Sequence, residues 1–165
     1  DSSTSRGLGD VYKRQDAQTE AECRAQYVSK DELLRSADHL VLVLPYSPES
    51  HHAIGAAELA AMKPTATLVN IARGGIVDDA ALAAALRTGR IAAAGLDVFE
   101  GEPRVHPDLL TVPNVVLTPH IASATVGTRR AMADLAADNL IAFLTQGQAV
   151  TPINRLVGRQ SHGDE

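Results

Sequence analysis

Four polar residues, Arg73, Asp97, Glu102 and His120, stand just beyond apolar, β-branched runs of this 165-residue chain. If those runs are parallel strands, their carboxyl ends converge on one crevice, the place where ligands of α/β proteins sit. A histidine and a glutamate that meet there have a recognisable use. The carboxylate favours the charged imidazolium, an acid usable near neutral pH. An arginine in the same crevice grips a carboxylate in a two-pronged fork. Together the groups suit reduction of a 2-oxo acid. Arg73 would bind the carboxylate and polarise the carbonyl, His120 would protonate the developing alkoxide, and Glu102 would orient and charge His120. The same residues also fit a plainer arrangement, in which Arg73 is a surface charge in a strand–helix turn and Glu102 and His120 never touch.

The elements that must position these groups are legible as periodicity and punctuation. Thr67 to Ile71 is a buried-strand run that stops at Arg73-Gly74-Gly75, where glycines let a ligand approach the backbone. Asp78 or Asp79 then caps a helix from Ala80 to Arg87, closed by Gly89. Upstream, Ala17 to Ala25 reads as a helix and Tyr27-Val28 as a brief edge strand. Ser29 and Glu32 form a capping-box pattern ahead of a helix over Asp31 to Ser36. Leu40 to Leu44 has no alternation, as in a parallel strand buried on both faces. Tyr46 to His52 is read as a solvated loop: the adjacent His51 and His52 point apart on most backbones, so they are not taken as a metal site. Gly55 to Met62 is a short helix, Ile91 to Val98 a strand, Glu100 to Pro113 a proline-rich loop, and Val115 to Leu117 a strand. Thr125 to Leu144 is a long amphipathic helix whose predicted buried stripe is Met132, Leu135, Ala136, Leu140, Phe143 and Leu144. Alternating strands and helices predict an α/β, doubly wound parallel sheet of Rossmann-like type with a long C-terminal helix.

Composition narrows the function classes. Twenty acidic residues against 15 basic ones give a net charge of −5, with no basic face for nucleic acid. The longest strongly apolar run, Leu40 to Leu44, is far too short to span a bilayer. Cys23 is the single cysteine, so there is neither an internal disulfide nor a metal-ligand cluster of cysteines. A cytoplasmic protein is the expectation. With aromatic residues at 3%, the core must be built from Ala, Val, Leu and Ile.

Residues 1–15 differ in kind. Asp10 to Gln15 back-translates as GAT-GTG-TAT-AAG-AGA-CAG, the mosaic end of a transposase adapter used in sequencing libraries, and such segments are set aside in fold reasoning. On that reading the frame was cut near Asp16, residues 16–154 are part of a dinucleotide-binding domain, and residues 155–165 are a flexible tail. The chain has no G-x-G-x-x-G, the usual pyrophosphate cradle, which agrees with a missing first strand–loop–helix.

Three blocks, Asn70 to Asp78, Gly95 to Pro103 and Leu117 to Thr125, resemble the signature blocks of the D-isomer-specific 2-hydroxyacid dehydrogenases. The likeness extends over 16–154. The stretches Met132-Ala133 and Asp138 to Ile141 are most similar to the branch of glyoxylate/hydroxypyruvate and 2-ketogluconate reductases. The resemblance implies NAD- or NADP-dependent reduction of a small 2-oxo acid to the D-2-hydroxy acid, with Arg73, Glu102 and His120 as the catalytic set. It implies that Asp97 faces the nicotinamide carboxamide and that Leu44, Pro45, Ile71, Ala72, Arg73 and His120 to Ser123 (His120, Ile121, Ala122 and Ser123) line the cofactor. Ala122 departs from the glycine frequent at that position. A homodimeric full-length parent is implied, while the fragment alone is expected neither to bind cofactor tightly nor to turn over. The other readings are an NAD-sensing, corepressor-like binding protein and an inactive truncated fragment.

Overall fold

The computed structural model describes residues 17–152, so the adapter-like residues 1–15 and the expected flexible tail 155–165 lie outside it. The described chain divides after Ile121 into two compact units. In the first, helices α1 (Ala17–Cys23), α2 (Lys30–Ser36), α3 (Ala56–Ala61) and α4 (Asp79–Arg87) alternate with strands β1 (His39–Leu42), β2 (Thr67–Asn70), β3 (Ala93–Leu96) and β4 (Val115–Leu117). The strands form one parallel sheet in the order β1-β2-β3-β4, in a register that sets Leu42 beside Asn70 and Asn70 beside Leu96.

That order decides where the core lies. Each crossover steps one strand in the same direction, and right-handed crossovers that all step one way place their helices on one face. Accordingly α2 packs on α3, α3 on α4, and α4 on the 3-10 turn Pro107–Thr111. Burial alternates down the strands: Leu40, Leu42, Leu68, Asn70, Ala94 and Leu96 point into this layer. The expectation that Leu40 to Leu44 is buried on both faces therefore fails, because Val41 and Val43, at 47% and 74% exposure, lie on the opposite face. Tyr27-Val28 forms no strand either; two residues are too few to close a ladder, although Val28 is buried as extended chain.

The helix punctuation matches the sequence closely. Ser29 Oγ accepts from Glu32 N–H at 3.2 Å, and Asp78 Oδ1 accepts from Ala81 N–H at 2.9 Å. Gly89 takes the left-handed conformation (φ 66°) that ends α4.

The second unit contains α5 (Val126–Gln146), capped by Thr125, whose Oγ1 accepts from Thr128 N–H, and closed by Gly147 at φ 72°. None of its residues is buried. The predicted buried stripe is thus corrected: Met132, Leu135, Leu140, Phe143 and Leu144 are 45–73% exposed and Ala136 is exposed as well. A stripe is buried only where another element lies against it. Inside its own unit α5 is held to the following segment by Asn139, whose Oδ1 accepts from Thr151 N–H at 2.9 Å.

Candidate active site

Three strand exits build the site. Asn70, the last residue of β2, turns its amide into the layer and is 2% exposed. Its Oδ1 accepts from Ala72 N–H at 3.1 Å and its Nδ2 donates to the Arg73 carbonyl at 3.2 Å. A buried amide thus fixes the turn that carries Arg73, whose guanidinium Nη1 donates to the Ala72 carbonyl at 2.6 Å. Gly74 follows because nothing larger fits: a Cβ there would stand 1.8 Å from the Phe99 carbonyl oxygen. Beyond Gly75, residues 76–78 run beside the 52–54 segment, with Ile54 N–H on the Ile76 carbonyl and Asp78 N–H on that of Ile54.

The exit of β3 is held as firmly. Asp79, buried in the first turn of α4, accepts from Glu100 N–H at 3.0 Å. Burial pushes its carboxyl above the usual range, and the negative Glu100 and Asp78 reinforce the shift against that hydrogen bond and the nearby His106. Glu102 Oε1 accepts from Phe99 N–H at 3.0 Å, and Oε2 lies 2.8 Å from His120 Nδ1. Burial works to raise the Glu102 carboxyl, but the hydrogen bonds from His120 and Phe99 outweigh it and hold the group below the ordinary carboxylate range. Glu102 is therefore ionised at neutral pH and accepts only, so His120 Nδ1 carries the shared proton and Nε2 is the nitrogen left for other chemistry.

At the exit of β4, Asp97 clamps the chain on both sides of His120. Its Oδ1 accepts from Thr118 Oγ1 at 2.6 Å and from Ile121 N–H at 2.9 Å. Between those two anchors His120 adopts φ 53°, a left-handed conformation uncommon for a residue with a side chain.

Arg73, Glu102 and His120 line one open cleft of about 810 Å³ in the first unit, within the range of small-molecule sites. Leu44, Pro45, Ile71 and Ala72 line it too. Asp97, 6% exposed, stands behind His120 rather than on the cleft wall, and Ile121 does not reach the wall. Ala122 and Ser123 begin the second unit. The apolar residues of the wall, with Ile71 left 46% exposed at a strand end, suit a flat heteroaromatic ring such as nicotinamide beside the polar set.

The sequence passed over several residues that make the site. Asn70 was signalled by its parity, a polar side chain two residues after buried Leu68 on the same face. Asp79 was offered only as an alternative cap. Tyr46, His51 and Glu100, which also line the cleft, carried no signal of their own. The expectation that His51 and His52 point apart is corrected. His52 takes φ 50°, with its N–H on the Gly75 carbonyl at 2.8 Å, and the two imidazoles stack with centroids 3.9 Å apart.

Residues 8–122 match the family model of the D-isomer specific 2-hydroxyacid dehydrogenase, NAD binding domain. The chain belongs to this family. Glyoxylate reductase of Thermococcus onnurineus (strain NA1) is 53% identical over 140 residues, covering 85% of this chain and 42% of its own length. Glyoxylate/hydroxypyruvate reductase B of Enterobacter agglomerans is 52% identical over 141 residues, 84% of this chain and 44% of its own. Among solved structures, the NADPH-dependent glyoxylate/hydroxypyruvate reductase of Sinorhizobium meliloti, in complex with NADP and malonate, superposes with a TM-score of 0.71 at 45% identity. That match covers 77% of this chain and 41% of the solved one. These relatives are named glyoxylate or glyoxylate/hydroxypyruvate reductases, and the chain spans about two fifths of their length.

Proposed function

We propose that this chain carries the acid and the carboxylate anchor of an enzyme that reduces a small 2-oxo acid with NADH or NADPH to the D-2-hydroxy acid. The observation that carries this reading is the 2.8 Å contact between His120 and Glu102 in the same cleft as Arg73. Arg73 binds the substrate carboxylate and draws electron density from the neighbouring carbonyl. Glu102 fixes the imidazole through Nδ1 and stabilises its positive charge. His120 then gives the Nε2 proton to the carbonyl oxygen as it gains negative charge. A bound nicotinamide dinucleotide supplies the hydride that the carbonyl carbon takes up. Leu44, Pro45, Ile71 and Ala72 would pack against that cofactor, with Asp97 and the backbone of Ile121 beside it. Glyoxylate and hydroxypyruvate, the acids in the relatives' names, are the first substrates to assay. Residues 16–154 are taken as cofactor-domain sequence, in a cytoplasmic protein that assembles as a homodimer.

The test uses the longest open reading frame that carries this chain, followed by nicotinamide absorbance. Arg73→Ala is expected to abolish 2-oxo acid reduction while NAD(P)H binding, read by fluorescence, persists. His120→Gln, which cannot supply the proton, is expected to lower kcat by about 10²- to 10⁴-fold. Near-normal turnover in either variant removes that residue from its role.

A further inference from the structure

The rim of the cleft holds a second cluster that the reduction does not use. His51, His52 and Glu100 each offer a ligand atom, and these atoms all lie within 4.8 Å of one another. The geometry points to a site for one divalent transition-metal ion of zinc-like preference, bound by His51, His52 and Glu100. It stands whether or not the cleft reduces a 2-oxo acid.

Two imidazoles and one carboxylate are a donor set that suits zinc and leaves a fourth position for water. His52 Nε2 and Glu100 Oε2 are already 2.9 Å apart, close to the roughly 3.3 Å between ligand atoms around a tetrahedral zinc. Metal-bound histidines generally have their other ring nitrogen held by an oxygen; His51 has such a partner within hydrogen-bond distance, and His52 has a carboxylate nearby, beyond that distance. Tyr46 Oη lies 3.2 Å from His51 Nδ1, and Asp78 Oδ2 lies 3.9 Å from His52 Nδ1. That leaves His51 Nε2 as its coordinating nitrogen and makes His52 Nε2, beside Glu100, the second.

The backbone prepares this arrangement from two separate segments. His52 takes a left-handed conformation, and its N–H is anchored on the Gly75 carbonyl. His51 packs over Gly75, where a Cβ would stand 3.4 Å from Nδ1. Glu100 is pinned independently through its own N–H to Asp79. Ligands fixed by separate supports need little reordering when an ion arrives. An ion here ties the loop after β1 to the loop after β3, and both line the cleft with Arg73.

The test is calorimetric titration of zinc into the chelator-stripped full chain, with thermal unfolding recorded with and without zinc. One zinc per chain is expected, with a Tm that rises with zinc concentration as for any ligand of the folded state. Cobalt in place of zinc is expected to show the intense visible bands of four-coordination. His51→Phe, His52→Asn and Glu100→Gln should each weaken binding by at least about tenfold, and Tyr46→Phe by roughly 10- to 100-fold through the lost support. Asparagine at 52 keeps the left-handed backbone accessible, and His51 is an exposed ring, so these variants should keep the native circular dichroism. Cys23→Ser and His39→Asn should bind zinc as the parent does. The proposal is overturned by the absence of a stoichiometric event. It is equally overturned if that event survives in natively folded His51→Phe, or disappears in Cys23→Ser.

Discussion

Helices α4 and α5 begin alike, each with a side-chain oxygen at the N-cap accepting a backbone N–H, Asp78 from Ala81 and Thr125 from Thr128. Both are rich in alanine, and both end at a left-handed glycine. Yet α4 buries five of its nine residues, whereas none of the 21 in α5 is buried. Caps and propensity thus define where a helix starts and stops, but burial is conferred by what the topology lays against it. For α4 that is the sheet layer under the strand exits that build the cleft. The sharpest test of the contrast is paired truncation. Leu82→Ala, at a fully buried position of α4, should cost about 2–5 kcal/mol of stability in urea unfolding. Leu144→Ala in α5, at a position 73% exposed, should stay within about 0.5 kcal/mol. Equal costs would break the comparison and mean that α5 is covered in solution.

A second pair should differ in sign. Gly74→Ala drives a methyl into the Phe99 carbonyl, a backbone atom that cannot swing aside. It should destabilise by about 1–3 kcal/mol or more and should disturb the Arg73 turn, read as altered chemical shifts at Arg73 and Phe99. Gly127→Ala, in the first turn of α5 with nothing within 4 Å of the added Cβ, should instead stabilise that helix by up to about 1 kcal/mol. A stabilising Gly74→Ala would show that the two loops are not pressed together.

The same division explains what was readable in the sequence. The strand runs other than Tyr27-Val28, the caps at Ser29 and Asp78, and the stop at Gly89 are local, and each was found at or within a few residues of its place. Glu102 and His120 are 18 residues apart and could be paired only as one of two alternatives, because the contact depends on how two strand exits fold back. The supports were harder still. Asp79 reaches Glu100 across 21 residues, and Gly74 reaches Phe99 from another loop. Conversely, the apolar runs at Leu40 to Leu44 and in α5 gave a valid element and a wrong burial, since hydrophobicity states what a face prefers and not what covers it. The stacked His51–His52 pair was missed because it hangs on one residue with positive φ.

The caps supply a case in which the two helices should behave alike. Asp78→Ala and Thr125→Ala each remove one acceptor from a first-turn N–H, so each should cost about 1 kcal/mol locally, whatever the burial of the helix. Hydrogen exchange at Ala81 and Thr128 reads this directly. Unequal acceleration would show that Asp78 does more than cap, through its approach to His52.

The smallest effect separates the helices by charge. Helix α5 has no acidic residue in its first turn, whereas α4 carries the buried Asp79 there. Because burial raises its carboxyl, the folded state holds that proton more tightly than the unfolded chain. Stability from this group is therefore greatest below the ordinary carboxylate value, and falls as pH rises from there to the raised value. Above that it is level at the lower plateau. Asp79→Asn keeps an oxygen for the Glu100 N–H but cannot ionise, so the variant should lose this slope and equal or exceed the parent in stability at neutral pH. Urea unfolding from mildly acidic to neutral pH measures it. A variant less stable than the parent at neutral pH, with the slope intact, would mean that the charge on Asp79 favours the fold, and that the β3 exit is held by attraction to the ionised carboxylate rather than by a hydrogen bond that a neutral oxygen can replace.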